Sequence, residues 1–134
     1  MEQTQDKAIG LLGLARKAGK LQTGEECVGS LLLQKHARLT ILASDAGAAV
    51  SRKMRALAEG TRQRVLEIPY DKLTLGAALG KPCVSAAAFA DVSMALAFVK
   101  ALPEGTAGAE LLEELERRVA RVKARRSSKS RNDK

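Results

Sequence analysis

Two kinds of segment alternate along the first hundred residues, and this alternation constrains the fold more than any other feature. Short continuous apolar runs, such as Leu39 to Ala43 and Val65 to Ile68, have the length of buried strands. Longer segments with apolar residues at helical spacing separate these runs. Strands that lack polar alternation are typical of a sheet covered on both faces. The sequence therefore predicts an α/β protein, a three-layer α/β/α sandwich.

Capping and stop residues set the expected boundaries of these elements. A capping box at Thr23 and Glu26 predicts the start of the second helix, and Ser44 with Asp45 are candidate caps of the third. Asp71 and Asp91 are expected to begin later helices. The predicted elements are helices over 4–17, 23–35, 48–59, 71–80 and 91–102, and strands over 39–43, 65–68 and 83–88.

The C-terminal part of the chain differs from the rest. Pro103, Gly105 and Gly108 mark a joint. After it, five apolar residues follow the three- and four-residue spacing of one helix face, namely Leu111, Leu112, Leu115, Val119 and Val122. The last eight residues contain no apolar side chain. We therefore expect a domain over 1–103, an amphipathic helix within 104–126 and a disordered basic tail over 127–134.

The net charge of +8 is concentrated in residues 117–134, which hold nine basic side chains and one acidic one. Two interpretations remain open for this segment, namely sequence-independent contact with nucleic-acid phosphates and a simple gain in solubility. The candidate phosphate contacts are Arg117, Arg118, Arg121, Lys123, Arg125 and Arg126.

Composition excludes several kinds of site. Aromatic residues make up 2% of the chain, too few for a platform that stacks several bases. Cys27 and Cys83 lie far apart, and His36 is the single histidine, so we expect no metal, haem or redox site. Both thiols are predicted to be small buried groups.

No catalytic motif is evident. Five residues separate Gly13 from Gly19, and Leu21 replaces the hydroxyl residue of a phosphate-binding P-loop. We expect no enzymatic activity, no cofactor and no small-molecule substrate. The acidic start of the chain and the absence of a long apolar stretch predict a cytoplasmic protein without a membrane segment.

Gly24 stands at a predicted helix start that follows three basic residues, Arg16, Lys17 and Lys20. Helix N-termini favour anions, and a glycine lets a phosphate or a base edge approach the backbone closely. A simple turn with a capping box explains the same residues, so the spacing alone leaves both interpretations open.

Four segments together resemble one family. LLGLARKAGKLQTGEECV (11–28), LTILASDAG (39–47), LGAALGKP (75–82) and the strand leading to Phe89 are similar to the L7Ae and L30e family of ribosomal proteins, in its bacterial YlxQ-like branch. The resemblance spans residues 7–102. It implies a non-enzymatic α/β/α protein that binds structured RNA, typically kink-turns or related internal loops, often within the ribosome.

The resemblance also implies where RNA would bind. The family's site comprises the start of the second helix and the loop before the last strand. The residues of this chain at the corresponding positions are Lys20, Thr23, Gly24, Glu25 and Glu26 in the first part, and Gly80, Lys81 and Pro82 in the second. Glu26, Cys27 and Ser30 replace the Asn, the Glu or Gln and the Lys that are usual there. The loss of the amide and the lysine puts kink-turn specificity in question more than RNA binding.

Two alternatives to this function remain. The same fold serves as a protein-interaction module, in which the amphipathic helix would dock on a partner or on the chain's own sheet. An enzyme that binds a small anion at Gly24 is the third possibility. We expect a monomer whose partner is structured RNA.

Overall fold

The computed structural model describes residues 6–132, and the side chains of residues 6–127. Within this range the chain forms six helices and four strands around one sheet. In chain order these are α1 (Lys7–Lys17), β1 (Leu21–Thr23), α2 (Glu25–Leu33), β2 (Leu39–Leu42), α3 (Ala48–Ala58), β3 (Val65–Glu67), α4 (Lys72–Leu79), β4 (Ala86–Phe89), α5 (Val92–Ala101) and α6 (Ala109–Asn132).

The sheet has the strand order β1-β4-β2-β3 and buries both of its faces. β4 is antiparallel to both neighbours, whereas β2 and β3 are parallel. Alternate residues point to opposite faces, so Ile41 and Phe89 pack under α1, α4, α5 and α6. Leu42 and Ala88 pack under α2 and α3 on the other face. The predicted three-layer α/β/α sandwich is confirmed.

The structure corrects the start of α2. Leu21 to Thr23 form a strand that pairs with β4, with Leu21 opposite Phe89. The sequence analysis missed β1 because it is three residues long and mostly polar, so its conformation depends on pairing with a distant strand. Since Thr23 belongs to β1, the capping box does not form, and Gly24 is the N-cap of α2 without a side-chain hydrogen bond.

Other boundaries are confirmed or shift slightly. Asp71 and Asp91 cap α4 and α5 as predicted. Asp6 caps α1, so this helix begins at Lys7, while Thr4 lies outside the described residues. β4 begins at Ala86 rather than Cys83, because the preceding residues run along α4, where the Val84 amide donates to the Lys72 carbonyl at 3.0 Å.

The cap of α3 is also different from the prediction. Gly47 is its N-cap and has no side-chain hydrogen bond. Asp45 instead holds the start of α4, because its Oδ1 accepts from the Lys72 amide at 2.8 Å. This loop carboxylate therefore stabilises a helix that is distant in sequence, which a local capping rule does not anticipate.

The C-terminal helix is longer than expected. α6 continues to Asn132, whereas the sequence predicted its end near Arg126 and disorder beyond. Extending a formed helix costs little for added residues such as Ser, Lys and Arg, which make up all of this extension except Asn132. Residues 133–134 of the predicted tail lie outside the described range.

α6 packs on the chain's own domain. Leu111, Leu115 and Val119 are buried in the core shared with α5. Glu114 accepts from Arg64, which directly precedes β3, at 2.6 Å and also from Arg118. No helix within residues 6–132 is both long and apolar enough to cross a membrane.

Candidate functional site

Gly24 lies where β1 turns into α2. Its φ of 96° and ψ of 149° are accessible to glycine and strained for other residues. The Gly24 amide donates to the Ala86 carbonyl at 3.0 Å, which fixes the start of α2 against the start of β4. Because no side chain caps the helix, the amides of its first turn lack a side-chain acceptor and favour an anion or another hydrogen-bond acceptor.

A second uncapped helix start lies at the same end of the sheet. Gly47 has almost the same conformation as Gly24, with a φ of 95° and a ψ of 152°, and begins α3. The two helices pack side by side, and Lys53 Nζ lies 3.1 Å from Glu25 Oε2. We call this end of the sheet, where β1, β2 and β3 end and β4 begins, the Gly24 edge.

The loop after α4 leads to the Gly24 edge. Gly80 ends α4 in the left-handed conformation, with a φ of 70°. The chain then turns back along α4, with the Lys81 amide bonded to the Gly76 carbonyl at 2.8 Å, and reaches Ala86 beside Gly24. Gly80, Lys81 and Pro82 are exposed. β4 thus links both halves of the predicted site.

Lys20 does not belong to this arrangement. It precedes β1, so it lies at the opposite end of that strand from Gly24. Its carbonyl accepts from Ala90 at 2.9 Å, and its Nζ lies 3.5 Å from Asp91 Oδ1. The antiparallel pairing of β1 with β4 separates Lys20 from the Gly24 edge, which sequence proximity to Gly24 did not reveal.

The residues that depart from the family pattern face solvent. Glu26, Cys27 and Ser30 are all exposed on α2. Cys83 is exposed as well, so the prediction that both thiols are buried is wrong. Cys27 lies on the outer side of the first turn of α2 and Cys83 in a loop, positions that neither core reaches. Within the described residues, no group of three or more His, Cys, Asp or Glu side chains is arranged to hold a metal ion.

The opposite end of the sheet carries a basic groove that the sequence analysis missed. This groove, of about 490 Å³, lies between α6 and the loops that precede β2 and β3. We call it the Arg118 groove, and its basic lining residues are Lys35, Arg38, Arg62, Arg118, Arg121 and Arg125. Arg118, Arg121 and Arg125 are three of the six phosphate contacts that were predicted on α6. The other three basic lining residues are scattered along the sequence, so no local pattern indicated them.

The other three predicted phosphate contacts on α6 lie elsewhere. Arg117 lines a neighbouring groove with Arg64, while Lys123 and Arg126 are exposed and do not line the Arg118 groove. The six predicted phosphate contacts are therefore divided between a face of α6 that is directed at the domain and a face that is directed at solvent.

Comparison with known proteins agrees with this architecture. A protein of unknown function from Bacillus halodurans is 29% identical, with a TM-score of 0.66, and the match covers 72% of this chain and 97% of that one. A 15.5 kD RNA-binding protein from Giardia lamblia is 15% identical, with a TM-score of 0.56, over 84% of this chain and 91% of that one. At 15% identity, the second similarity shows only that the two proteins share a fold.

The sequence profile of one family matches most of the domain. It covers residues 6–98, which hold the whole sheet, the helices α1 to α4, α5 apart from its last turn, and both halves of the predicted site. No curated protein sequence matches the chain significantly. The assignment to a bacterial YlxQ-like branch stays a prediction. The match over residues 6–98, on the fold described above, shows that the chain belongs to the ribosomal protein L7Ae/L30e/S12e/Gadd45 family.

Proposed function

We propose that the protein binds structured RNA at the Gly24 edge, and that its targets are kink-turns or related internal loops. The observation that carries the proposal is the uncapped start of α2 at Gly24, fixed against β4 within a domain of this family. First-turn amides without a side-chain acceptor, and the missing side chain at Gly24, suit close contact with a base edge or a phosphate. The RNA-binding relative from Giardia lamblia supports the choice of ligand class.

The charges at the Gly24 edge favour base contacts over phosphate contacts. Glu25 is paired with Lys53, whereas Glu26 is exposed without a basic partner among the described residues. A carboxylate only accepts hydrogen bonds, so Glu26 suits amino and imino donors of unpaired or mismatched bases. Lys81 is exposed on the other half of the site and supplies a phosphate contact there.

We also propose that binding occurs without catalysis, in the cytoplasm and within a ribonucleoprotein such as the ribosome. Docking of a protein partner through α6 is not favoured, because the apolar residues of this helix are already buried against α5.

The test compares a kink-turn RNA with the same RNA in which the sheared G·A pairs are changed to Watson–Crick pairs. We expect the wild-type protein to prefer the kink-turn. Glu26→Asn, Cys27→Glu and Ser30→Lys together should tighten kink-turn binding by roughly 1–3 kcal/mol, the range for good polar base contacts. All three positions are exposed, so the variant should fold.

Lys81→Ala should weaken binding of the kink-turn. Lys100→Ala is the matched control, because Lys100 is exposed on α5 and pairs with Glu116 at 3.7 Å, away from the loop after α4. Equal affinity for the two RNAs, both in the wild type and in the triple variant, would refute kink-turn recognition. Loss of binding in the Lys100 variant alone would place the RNA on the other side of the molecule.

A further inference from the structure

The Arg118 groove lies far from the Gly24 edge. Residues 24 to 35 follow α2 from one end of the sheet to the other, a distance of roughly 15 Å along the helix. β2 and β3 begin at the groove, whereas they end at the Gly24 edge. A ligand in the groove is therefore separated from Gly24, Glu25 and Glu26, and Lys20, which lies at the groove's end of the sheet, does not line the groove.

Like charges face one another across this groove. Among its eleven described lining residues six are basic and none is acidic. Arg121 and Arg125 come from α6, while Lys35 and Arg38 come from the loop between α2 and β2. Such a concentration of positive charge is unfavourable unless anions occupy the space between the side chains.

The groove is held in shape by hydrogen bonds. The buried Gln63 side chain accepts from the Ala37 amide at 2.9 Å and donates to the Leu32 carbonyl at 2.9 Å, which ties together the two loops below the groove. Arg118 Nη2 donates to the Arg62 carbonyl at 2.6 Å and pairs with Glu114. A pre-formed arrangement of guanidinium groups lowers the entropic cost of binding.

The basic surface continues on both sides of the groove. One neighbouring groove shares Arg62, Arg118 and Arg121 with it and adds Arg64 and Arg117, with Glu114 as its one acidic lining residue among those described. Another, along the edge strand β3, shares Gln63 and adds Arg52 and Arg55 of α3, with Glu59 as its one acidic lining residue among those described. A track that extends from α6 to α3 suits a chain of phosphates better than a single small anion.

We propose that the Arg118 groove is a second RNA site, which holds the phosphodiester backbone of an RNA segment separate from the one at the Gly24 edge. The identity of the polyanion as RNA rests on the proposed function, while the site itself does not depend on kink-turn recognition. Arginine is the side chain best suited to phosphate, because its planar donors bind two oxygens at once.

The probe is a labelled RNA duplex without internal loops, titrated against the full chain over a range of salt concentrations. The groove variant carries Arg121→Gln and Arg125→Gln. Its matched control carries Lys123→Gln and Arg126→Gln, which remove the same charge from the same helix outside the groove. Circular dichroism checks that both variants keep their helices.

We expect the groove variant to bind the duplex roughly 10- to 50-fold more weakly at about 0.1 M salt, with a salt slope lower by roughly 0.7–0.9 for each phosphate that the protein no longer neutralises. The control should change affinity by less than about threefold. Arg38→Gln with Arg62→Gln should weaken binding similarly from the other wall of the groove, which a diffuse effect of α6 alone cannot explain.

Equal reductions in affinity for the groove variant and its control would overturn the proposal, because the cations would then act only as a general field. If none of the groove substitutions changed the affinity for the duplex, the proposal would also be overturned, and an acidic protein segment would be the better occupant. Lys81→Glu separates the two proposals. This variant should bind the kink-turn more weakly and bind the duplex as the wild type does. If it failed to bind the duplex, the duplex would lie at the Gly24 edge and the proposal would be overturned.

Discussion

Gly76 of α4 lies so close to the returning loop that a β-carbon on it would stand 2.8 Å from Cys83 Cα. The same atom would lie 2.6 Å from the Lys81 carbonyl oxygen. All of these neighbours are backbone atoms, which have little freedom to move away. The absence of a side chain at Gly76 therefore lets the loop that carries Lys81 and Pro82 pack against α4.

Gly76→Ala should destabilise the protein by about 1–3 kcal/mol, the usual cost of forcing extra volume into a packed site. Urea unfolding measures the change. Gly13→Ala in α1 is the control, because its β-carbon would meet the Ala78 carbonyl at an ordinary 3.6 Å. The control should be neutral or gain up to about 1 kcal/mol from helix propensity. Equal stability of the two variants would contradict the tight contact.

Glu114 joins α6 to the domain through two arginines. Its side chain is 19% exposed and pairs with Arg64 and Arg118. Glu114→Gln should lower the free energy of unfolding by about 1–2 kcal/mol, between the values typical of exposed and buried ion pairs. Glu113→Gln, at an exposed position on the same helix, should change it by less than about 0.5 kcal/mol. A destabilisation that persists unchanged in about 1 M salt would argue against an ionic contribution.

Tyr70 titrates at unusually high pH. Partial burial raises its pKa to about 12, helped by the hydrogen bonds that its hydroxyl donates to the Asp6 carboxylate at 2.9 and 3.0 Å and by the charge of that carboxylate. Since Tyr70 is the single tyrosine and the chain has no tryptophan, ultraviolet absorbance reports its ionisation directly.

The expected midpoint of this titration is about 12, and Asp6→Asn should move it down towards the ordinary value of 10.0. Because the pKa is raised in the folded state, the contribution of Tyr70 to stability is constant below pH 10 and is lost as the pH rises towards 12. A midpoint near 10 in the wild type would contradict the contact with Asp6.

Lys35 has a φ of 62°, and it is the single residue other than glycine with a positive φ among the described residues. This left-handed conformation ends α2, and it is strained at Lys35 because the residue has a β-carbon. Lys35→Gly should raise the free energy of unfolding by about 1 kcal/mol and weaken binding of the RNA duplex to the Arg118 groove. The measurements are urea unfolding and duplex titration.

Lys35→Ala provides the comparison, because it removes the charge and keeps the strain. It should reduce duplex affinity to the same degree as the glycine variant without the gain in stability. If Lys35→Gly became more stable and kept its full affinity for the duplex, Lys35 would have no part in the groove.

The sequence by itself determined the layers of the fold and several of its boundaries. The apolar run at Leu39 to Leu42 forms a strand buried on both faces, and Asp71 and Asp91 cap the helices they precede. The stripe that includes Leu111 and Leu115 forms the buried face of α6. These features depend on periodicity and on hydrogen bonds that span a few residues, so a local pattern is sufficient to encode them.

The tertiary structure alone decided which residues share a site. β1 became a strand because β4 offered it an antiparallel partner, and the same pairing placed Lys20 and Gly24 at opposite ends of the sheet. Strand order and direction likewise brought the loops before β2 and β3 under the arginines of α6. Contacts between residues this far apart in sequence follow from how the layers pack, a property that no short segment contains.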